Sequence, residues 1–249
     1  IASVGFLFWF LNAVSHPIND YYDIEADEHG KPGAPIPSGL LSLDQAKKII
    51  VLDYILAAVF IVLLPLNLYA KIFATIFLLG TYVFSAPPIR ATTRGGFQYF
   101  ILSTGFVSGF LAGWAAGGGI GFEIPVILFS GHIASVHIAQ KLILDIVDLE
   151  ADEKGGRNTT PVRIGEENSF KISVFFGALS IIFFFSVFIT GSPNLLYLLP
   201  GSIGAGIAIV SIYKFGQRYG SSMGRKYHLL LMPSTILFGL SAIIGFYPI

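Results

Sequence analysis

The sequence predicts an all-α integral membrane protein, a bundle of eight transmembrane helices, and three observations support this fold class. The composition is 54% hydrophobic and 12% charged over 249 residues, whereas an ordinary soluble domain is about 25% charged. The apolar residues form eight stretches of the length that a transmembrane helix needs, about 20 residues. The basic residues lie mainly in alternate connections between those stretches. Neither nucleic-acid binding nor thiol chemistry is indicated, since the net charge is zero and cysteine is absent from the sequence.

The eight stretches predict eight helices in chain order. Pro87 and Pro88 are expected to end the third, because proline has no amide hydrogen and restricts the residue before it. Since the sequence starts at Ile1 inside an apolar stretch, we expect a single membrane domain over residues 1–249 that is incomplete at its N-terminus. The predicted stretches are residues 1–18, 46–66, 71–88, 99–116, 121–144, 170–190, 195–214 and 229–247.

Lysine and arginine predict the orientation of these helices, because both are enriched in cytoplasmic loops. The connections after the first, third, fifth and seventh stretches are basic, and the other connections carry little beyond Lys71. We therefore expect the four basic connections to be cytoplasmic. Their basic residues are Lys31, Lys47, Lys48, Arg90, Arg94, Lys154, Arg157, Arg163, Arg218, Arg225 and Lys226.

Two acidic segments repeat one pattern, D-x-x-D-x-E-A-D-E-x-G, at the ends of the first and fifth stretches. Together they contain 10 of the 15 acidic residues of the chain. Residues three or four apart share one face of a helix, so each copy presents a row of aspartates, while its glutamates point elsewhere and are expected to be solvated. The first row is Asp20, Asp23 and Asp27, overlapped by Asn19, and the second is Lys141, Asp145, Asp148 and Asp152; the glutamates are Glu25, Glu28, Glu150 and Glu153.

The two rows of aspartates predict a metal site. Clustered carboxylates raise one another's pKa unless a cation neutralises them. Mg²⁺ prefers oxygen ligands and is typically held by one or two carboxylates together with water and substrate phosphates. Two facing rows would therefore bind two or more Mg²⁺ ions, which would hold a diphosphate. A pair of acidic caps that only improve solubility is the simpler interpretation, and the matching spacing of the two copies disfavours it.

These segments resemble the motifs of the UbiA-type intramembrane prenyltransferases. The family's first motif is N-x-x-x-D-x-x-x-D and its second is D-x-x-x-D, and PIPSG at residues 35–39 is similar to the segment that follows the first motif. The resemblance implies nine transmembrane helices, the first of which precedes this sequence. The matching residues are Asn19, Asp23 and Asp27 in the first motif, and Asp148 and Asp152 in the second, with Asp145 one turn earlier.

The segment YVFSAPPIRATTRGG, residues 82–96, is similar to a Tyr-Ser-x-Pro-Pro-x-Arg/Lys stretch in several branches of the family. Arg90 and Arg94 could bind diphosphate oxygens, which the guanidinium fork suits well, or they could be ordinary cytoplasmic anchors. Tyr82 could face a developing cation or could be an interfacial aromatic residue. Lys141 is expected to contact the diphosphate, to pair with Asp145, or both.

The resemblance implies Mg²⁺-dependent transfer of a prenyl group from a polyprenyl diphosphate to an acceptor, through an allylic carbocation, with release of diphosphate. The acceptor would be an aromatic ring of the quinone-precursor type or a lipid hydroxyl. Ala86 stands where the 4-hydroxybenzoate branch has lysine, and Ala34 precedes Pro35 where many members have arginine. Both departures argue against a ubiquinone-type acceptor.

The predicted site residues fall into three overlapping groups. An ion-coupled transporter that uses the paired aspartates is the alternative function, disfavoured because these residues end helices on one side of the membrane. The catalytic group is Asp23, Asp27, Asp148, Asp152, Tyr82 and Lys141; the substrate-binding group is Asn19, Asp20, Arg90, Arg94, Asp145 and Arg157; the metal ligands are Asn19, Asp23, Asp27, Asp145, Asp148 and Asp152.

Overall fold

The computed structural model describes residues 2–119, 121, 123–217 and 222–246, and the regular elements of this part of the chain are all helical. Two 3₁₀ turns, Ala91–Thr93 and Leu195–Tyr197, accompany the α-helices. The α-helices are α1 Ala2–Tyr22, α2 Ile24–Gly30, α3 Leu43–Leu63, α4 Leu68–Ser85, α5 Gly96–Ala116, α6 Ile124–Val147, α7 Leu149–Lys154, α8 Thr160–Ile164, α9 Glu166–Gly191, α10 Leu198–Gly216 and α11 Ser222–Phe246.

The long helices overlap the apolar stretches of the sequence, and most of their ends differ by up to four residues, while α11 begins at Ser222, seven residues before the predicted stretch 229–247. Within the described part of the chain, five segments are long and apolar enough to cross a membrane, namely α4, α5, α6, α9 and the segment Leu195–Gly216 that contains α10. These five helices support an integral membrane protein, while eight as the number of spans stays a prediction. In α3 the charged residues Lys47, Lys48 and Asp53 interrupt the apolar character.

Some of the predictions concern residues outside the described part of the chain. These residues are Ile1 and Tyr247, which end the first and last predicted stretches, Arg218, and the side chains of Arg225 and Lys226.

One compact unit consists of residues 1–121 and 148–163. The apolar face of α1, which repeats every three or four residues, is buried against α3 and α4 through contacts such as those of Leu7 and Leu11 with Ala57 and Phe77. The α4 helix ends at Ser85, as the following proline pair predicts. This packing brings the C-terminal end of α1 and the loop after α4 into the same unit.

The other compact unit consists of residues 122–147 and 164–249. Within it α6 packs along α9, and α10 packs along α11. The imidazole Nδ1 of His132 lies 3.0 Å from both the carbonyl oxygen and the hydroxyl of Ser180, and the ring of Phe184 stacks on that of Tyr197 with centroids 4.6 Å apart. Because its contacts with Ser180 join α6 to α9, His132 is a helix-packing residue.

Candidate active site

The two acidic segments adopt the same backbone conformation, as they share the same sequence pattern. Asp23 lies between α1 and α2 with φ −103° and ψ 14°, and Asp148 lies between α6 and α7 with φ −95° and ψ 5°. The amides of Asp27 and Asp152 each donate to the carbonyl oxygen four residues earlier, at 2.9 Å. In each copy the long helix thus ends just before the equivalent aspartate, and a short helix carries the remaining acidic residues.

The short helices α2 and α7 pack directly on each other through small residues. A Cβ atom placed on Gly155 would lie 2.6 to 2.7 Å from three atoms of Ala26, two of them backbone, and one placed on Gly30 would lie 3.1 Å from Cβ of Ala151. Alanine and glycine of each copy therefore contact glycine and alanine of the other. The sequence analysis does not predict this packing role, although the alanine and the last glycine recur at the same positions in both copies of the repeat.

The aspartates and glutamates of the short helices are separated by burial. Asp23, Asp27 and Asp152 are 3%, 6% and 2% exposed, whereas the glutamates Glu25, Glu28, Glu150 and Glu153 are exposed. Asp20 interacts electrostatically with the carboxylates of Asp27 and Asp23. The carboxylates of the first segment thus form the electrostatically coupled group that the helical spacing predicts.

Asp23 is at the centre of a network of charged groups. Its carboxylate accepts a hydrogen bond from the Asn19 amide at 2.8 Å and lies 3.3 Å from Nη2 of Arg90. The Nη2 group of Arg90 also donates to the carbonyl oxygen of Tyr22. Arg90 adopts a left-handed conformation with φ 44°, which is uncommon for a residue other than glycine. The contacts of the Arg90 guanidinium with the end of α1 therefore stabilise a sterically unfavourable backbone conformation at Arg90.

Arg157 joins the two acidic segments. Its Nη1 atom lies 3.0 Å from Oδ1 of Asp152 and 3.7 Å from Oδ2 of Asp23, and its Nη2 donates to the hydroxyl of Thr92. The hydroxyl of Thr159 donates to Asp152 Oδ2 at 3.2 Å. Thr92 and Thr159 are fully buried, and nothing in the sequence pattern marks either as part of the site.

Two loops that are distant in sequence position these groups. The amide of Gly95 donates to the carbonyl of Asn158 at 3.1 Å. Gly95 has φ +52°, and a Cβ atom there would lie 2.7 Å from Nη1 of Arg163. The loop after α4 is therefore docked on the segment after α7, which brings Arg90 and Arg157 to the same carboxylate.

The residues present fit a divalent cation in their ligand chemistry. The Oδ2 atom of Asp27 is buried and accepts no hydrogen bond from the described residues, while its Oδ1 lies 3.2 Å from Nζ of Lys31. A buried carboxylate oxygen without a donor is the kind of ligand that Mg²⁺ prefers. Among the described residues, no three His, Asp or Glu side chains converge closely enough to hold a metal ion as they stand. The guanidinium of Arg157 lies between Asp23 and Asp152.

The remaining predicted residues have contacts of their own. Tyr82 is 45% exposed and its ring is 6.3 Å from that of Tyr54, while the exposed Arg94 donates to the carbonyl of Pro88 at 2.9 Å. Lys141 and Asp145 belong to the other compact unit, where they form an ion pair of 2.5 Å. The pairing of Lys141 with Asp145 is thus observed, and a contact of either residue with substrate stays a prediction.

The chain is similar to curated archaeal proteins named digeranylgeranylglyceryl phosphate synthase. That of Methanocaldococcus jannaschii is 32% identical over 180 residues, which cover 72% of this chain and 60% of the relative. That of Sulfolobus acidocaldarius is 30% identical over 162 residues, or 65% of this chain and 56% of the relative. The matched region therefore spans less than two thirds of the length of these relatives.

Solved structures and a family match agree with this similarity. A structure of a digeranylgeranylglyceryl phosphate synthase in membranes superposes with a TM-score of 0.71 at 27% identity, covering 98% of this chain and 84% of that one. A UbiA homolog from Archaeoglobus fulgidus, bound to GPP and Mg²⁺, superposes with a TM-score of 0.76 at 21% identity over 98% of this chain and 85% of that one. The UbiA prenyltransferase family matches residues 1–241, and the chain belongs to this family.

Proposed function

We propose that this chain transfers a prenyl group from a polyprenyl diphosphate to the hydroxyl group of a glyceryl phosphate lipid, in a reaction that requires Mg²⁺. The observation that carries the proposal is the meeting of Asp23 and Asp152, one from each acidic segment, at a single guanidinium. One carboxylate from each copy of the motif therefore lies beside the same guanidinium, and the basic side chain of Arg90 is also present. This is the composition expected of a site for a metal-bound diphosphate.

The chemistry begins with cleavage of the bond between the allylic carbon and the diphosphate oxygen. The electron pair leaves with the diphosphate, and the allylic carbon becomes positively charged. The acceptor hydroxyl then forms the new carbon–oxygen bond and releases its proton, so the products are an ether and diphosphate. When bound, Mg²⁺ would stabilise the charge on the leaving diphosphate.

We assign roles to the chain's residues according to this scheme. The buried carboxylates bind the metal, and Asp27 Oδ2 is the oxygen best prepared for it, because it has no competing hydrogen-bond donor among the described residues. Arg90 and Arg157 neutralise the diphosphate, and Tyr82 faces the developing cation. The further proposed metal ligands are Asn19, Asp145, Asp148 and Asp152; the further substrate-binding residues are Asp20, Arg94 and Lys141.

The relatives favour a lipid hydroxyl over an aromatic ring as the acceptor. The curated proteins are named for the formation of digeranylgeranylglyceryl phosphate, a name that describes two geranylgeranyl groups on one glyceryl phosphate. Ala86, which stands where the 4-hydroxybenzoate branch of the family has lysine, agrees with this choice. Membership of the UbiA family does not favour an ion-coupled transporter. We further propose that all eight long helices cross the membrane as one domain, with the acidic segments on the cytoplasmic side.

A product assay with two classes of acceptor tests the proposal. The purified chain is incubated with labelled geranylgeranyl diphosphate and Mg²⁺ or EDTA, and with geranylgeranylglyceryl phosphate or 4-hydroxybenzoate. We expect an ether product only with Mg²⁺ and the glyceryl lipid, and a loss of about 100-fold or more in Asp23→Asn. Glu25→Gln is the matched control, since Glu25 is in the same segment but exposed, and it should stay within about twofold of wild type. Prenylation of the aromatic acceptor alone, or an unaffected Asp23→Asn variant, would contradict the proposal.

A further inference from the structure

The position of Arg157 indicates a competition that the proposed function does not include. Its guanidinium contacts one carboxylate from each acidic segment, and its side chain is only 12% exposed. Asp23 and Asp152 are the same carboxylates to which the proposed function assigns Mg²⁺. A metal ion and a guanidinium compete for these carboxylates, because binding of either cation neutralises part of the negative charge that attracts the other.

The backbone of Arg157 is fixed to the second acidic segment, whereas the contact of its side chain with Asp23 is adjustable. The Arg157 amide donates to the carbonyl of Asp152 at 2.8 Å, so the residue remains attached to the second segment. The contact with Asp23 is made by the side chain alone, at 3.7 Å. The hydroxyl of Thr92 supports the guanidinium from the loop after α4. The guanidinium can therefore leave Asp23 without unfolding of α7.

When no metal ion is bound, the contacts of Arg157 with Asp23 and Asp152 reduce the electrostatic repulsion between these carboxylates. Two buried carboxylates on packed helices repel each other, and a shared cation removes that repulsion. Breaking a buried pair by removal of one partner is costly, since a charge is left uncompensated. The guanidinium therefore holds α2 and α7 together until another cation arrives.

We propose that Arg157 is an internal counter-ion that joins the two acidic segments in the metal-free chain, competes with divalent cations for Asp23 and Asp152, and binds the diphosphate once it is displaced. The last step rests on the proposed function, because it requires a diphosphate beside the metal. Arg157 is here a positioning residue for the metal ligands and a binding residue for the anion. A divalent cation alone binds weakly, because it must displace the guanidinium. A cation and diphosphate bind cooperatively, because the anion gives the displaced guanidinium a new partner.

The test is a titration of the full chain with Mn²⁺, followed by electron paramagnetic resonance of the free ion, with and without inorganic pyrophosphate. In Arg157→Gln we expect Mn²⁺ alone to bind about tenfold more tightly, since a charge-assisted hydrogen bond no longer competes. We expect pyrophosphate in the presence of Mn²⁺ to bind about tenfold more weakly, because its guanidinium partner is gone. A role limited to folding would weaken both equilibria together.

Lys154→Gln is the matched control. Lys154 is also a basic residue of the second segment, but it pairs with Glu150 on the surface, and both side chains are more than half exposed. Its loss should change either affinity by about twofold at most. Arg157→Lys provides a second variant if Arg157→Gln does not fold, and it should shift both affinities in the same directions by about threefold, because one ammonium cannot match the guanidinium fork.

The outcomes separate this proposal from the proposed function. If wild type binds both Mn²⁺ and pyrophosphate and the Arg157 variants bind Mn²⁺ no more tightly than Lys154→Gln does, the competition is refuted while the proposed function stands. If wild type binds neither Mn²⁺ nor pyrophosphate, both proposals are refuted.

Discussion

The contact between Gly155 and Ala26 allows the packing of the two acidic segments to be tested with one methyl group. An alanine at position 155 would place its Cβ 2.6 to 2.7 Å from Cα, Cβ and N of Ala26. Carbon atoms prefer separations of about 3.5 to 4.0 Å, so α2 and α7 would have to move apart by about 1 Å. Gly155 has φ −82°, a conformation that alanine adopts freely, so the added contact is the main perturbation.

Two consequences of Gly155→Ala can be measured. Overpacking of this size costs about 1 to 3 kcal/mol of stability, which thermal unfolding in detergent detects. A displacement of about 1 Å at the carboxylates should reduce Mg²⁺-dependent diphosphate release by about 100-fold. Gly33→Ala is the control, because Gly33 follows the first copy of the motif but a Cβ there meets nothing within 4 Å. Equal activity in the two variants would refute the packing argument.

Three further predictions concern single side chains. Thr159→Val removes the hydroxyl that donates to Asp152 and should weaken Mn²⁺ binding by about tenfold. Thr160→Val should not weaken it, because it removes a buried hydroxyl without a hydrogen-bond partner among the described residues. Equal Mn²⁺ affinities in the two variants would contradict this prediction. Ser42→Ala removes the capping box at the start of α3 and should cost about 1 kcal/mol in thermal unfolding with unchanged Mn²⁺ affinity, so a change in affinity would count against the assignment of the site. The hydrogen bond from Lys154 lowers the pKa of the exposed Glu150, so that this pair exists at neutral pH and is lost as the pH falls through the lowered pKa. Glu150→Gln should leave the Mn²⁺ affinity unchanged at pH 7. A loss of Mn²⁺ binding in this variant would place Glu150 in the site.

The sequence predicts those features that depend on helical spacing or on local stereochemistry. The alternation of buried aspartates with exposed glutamates, such as Asp27 and Glu28, follows from the helical period. The end of α4 before Pro87 follows from the missing amide hydrogen of proline. Both features are encoded within a few neighbouring residues, so one sequence is sufficient to predict them.

The features of the site that the sequence does not predict depend on contacts between segments that are distant in the chain. Thr92 and Thr159 are ordinary buried threonines until the loop after α4 docks on the segment after α7. The sequence predicts Arg157 as a ligand of substrate, whereas its contact with both carboxylates depends on the packing of α2 on α7. The small residues of that packing, Gly155 among them, recur in both copies of the repeat, but the pattern alone does not show that they contact each other.

The most direct test of the central claim is the position of the metal. Crystals of the chain grown with Mn²⁺ and a non-reactive prenyl thiodiphosphate would locate the ion by anomalous scattering. We predict ions coordinated by carboxylates of both acidic segments, Asp27 from the first and Asp152 from the second, with the diphosphate bound to the same ions. Metal bound by one segment alone, or at a distance from both, would contradict the claim that the two segments form a single site.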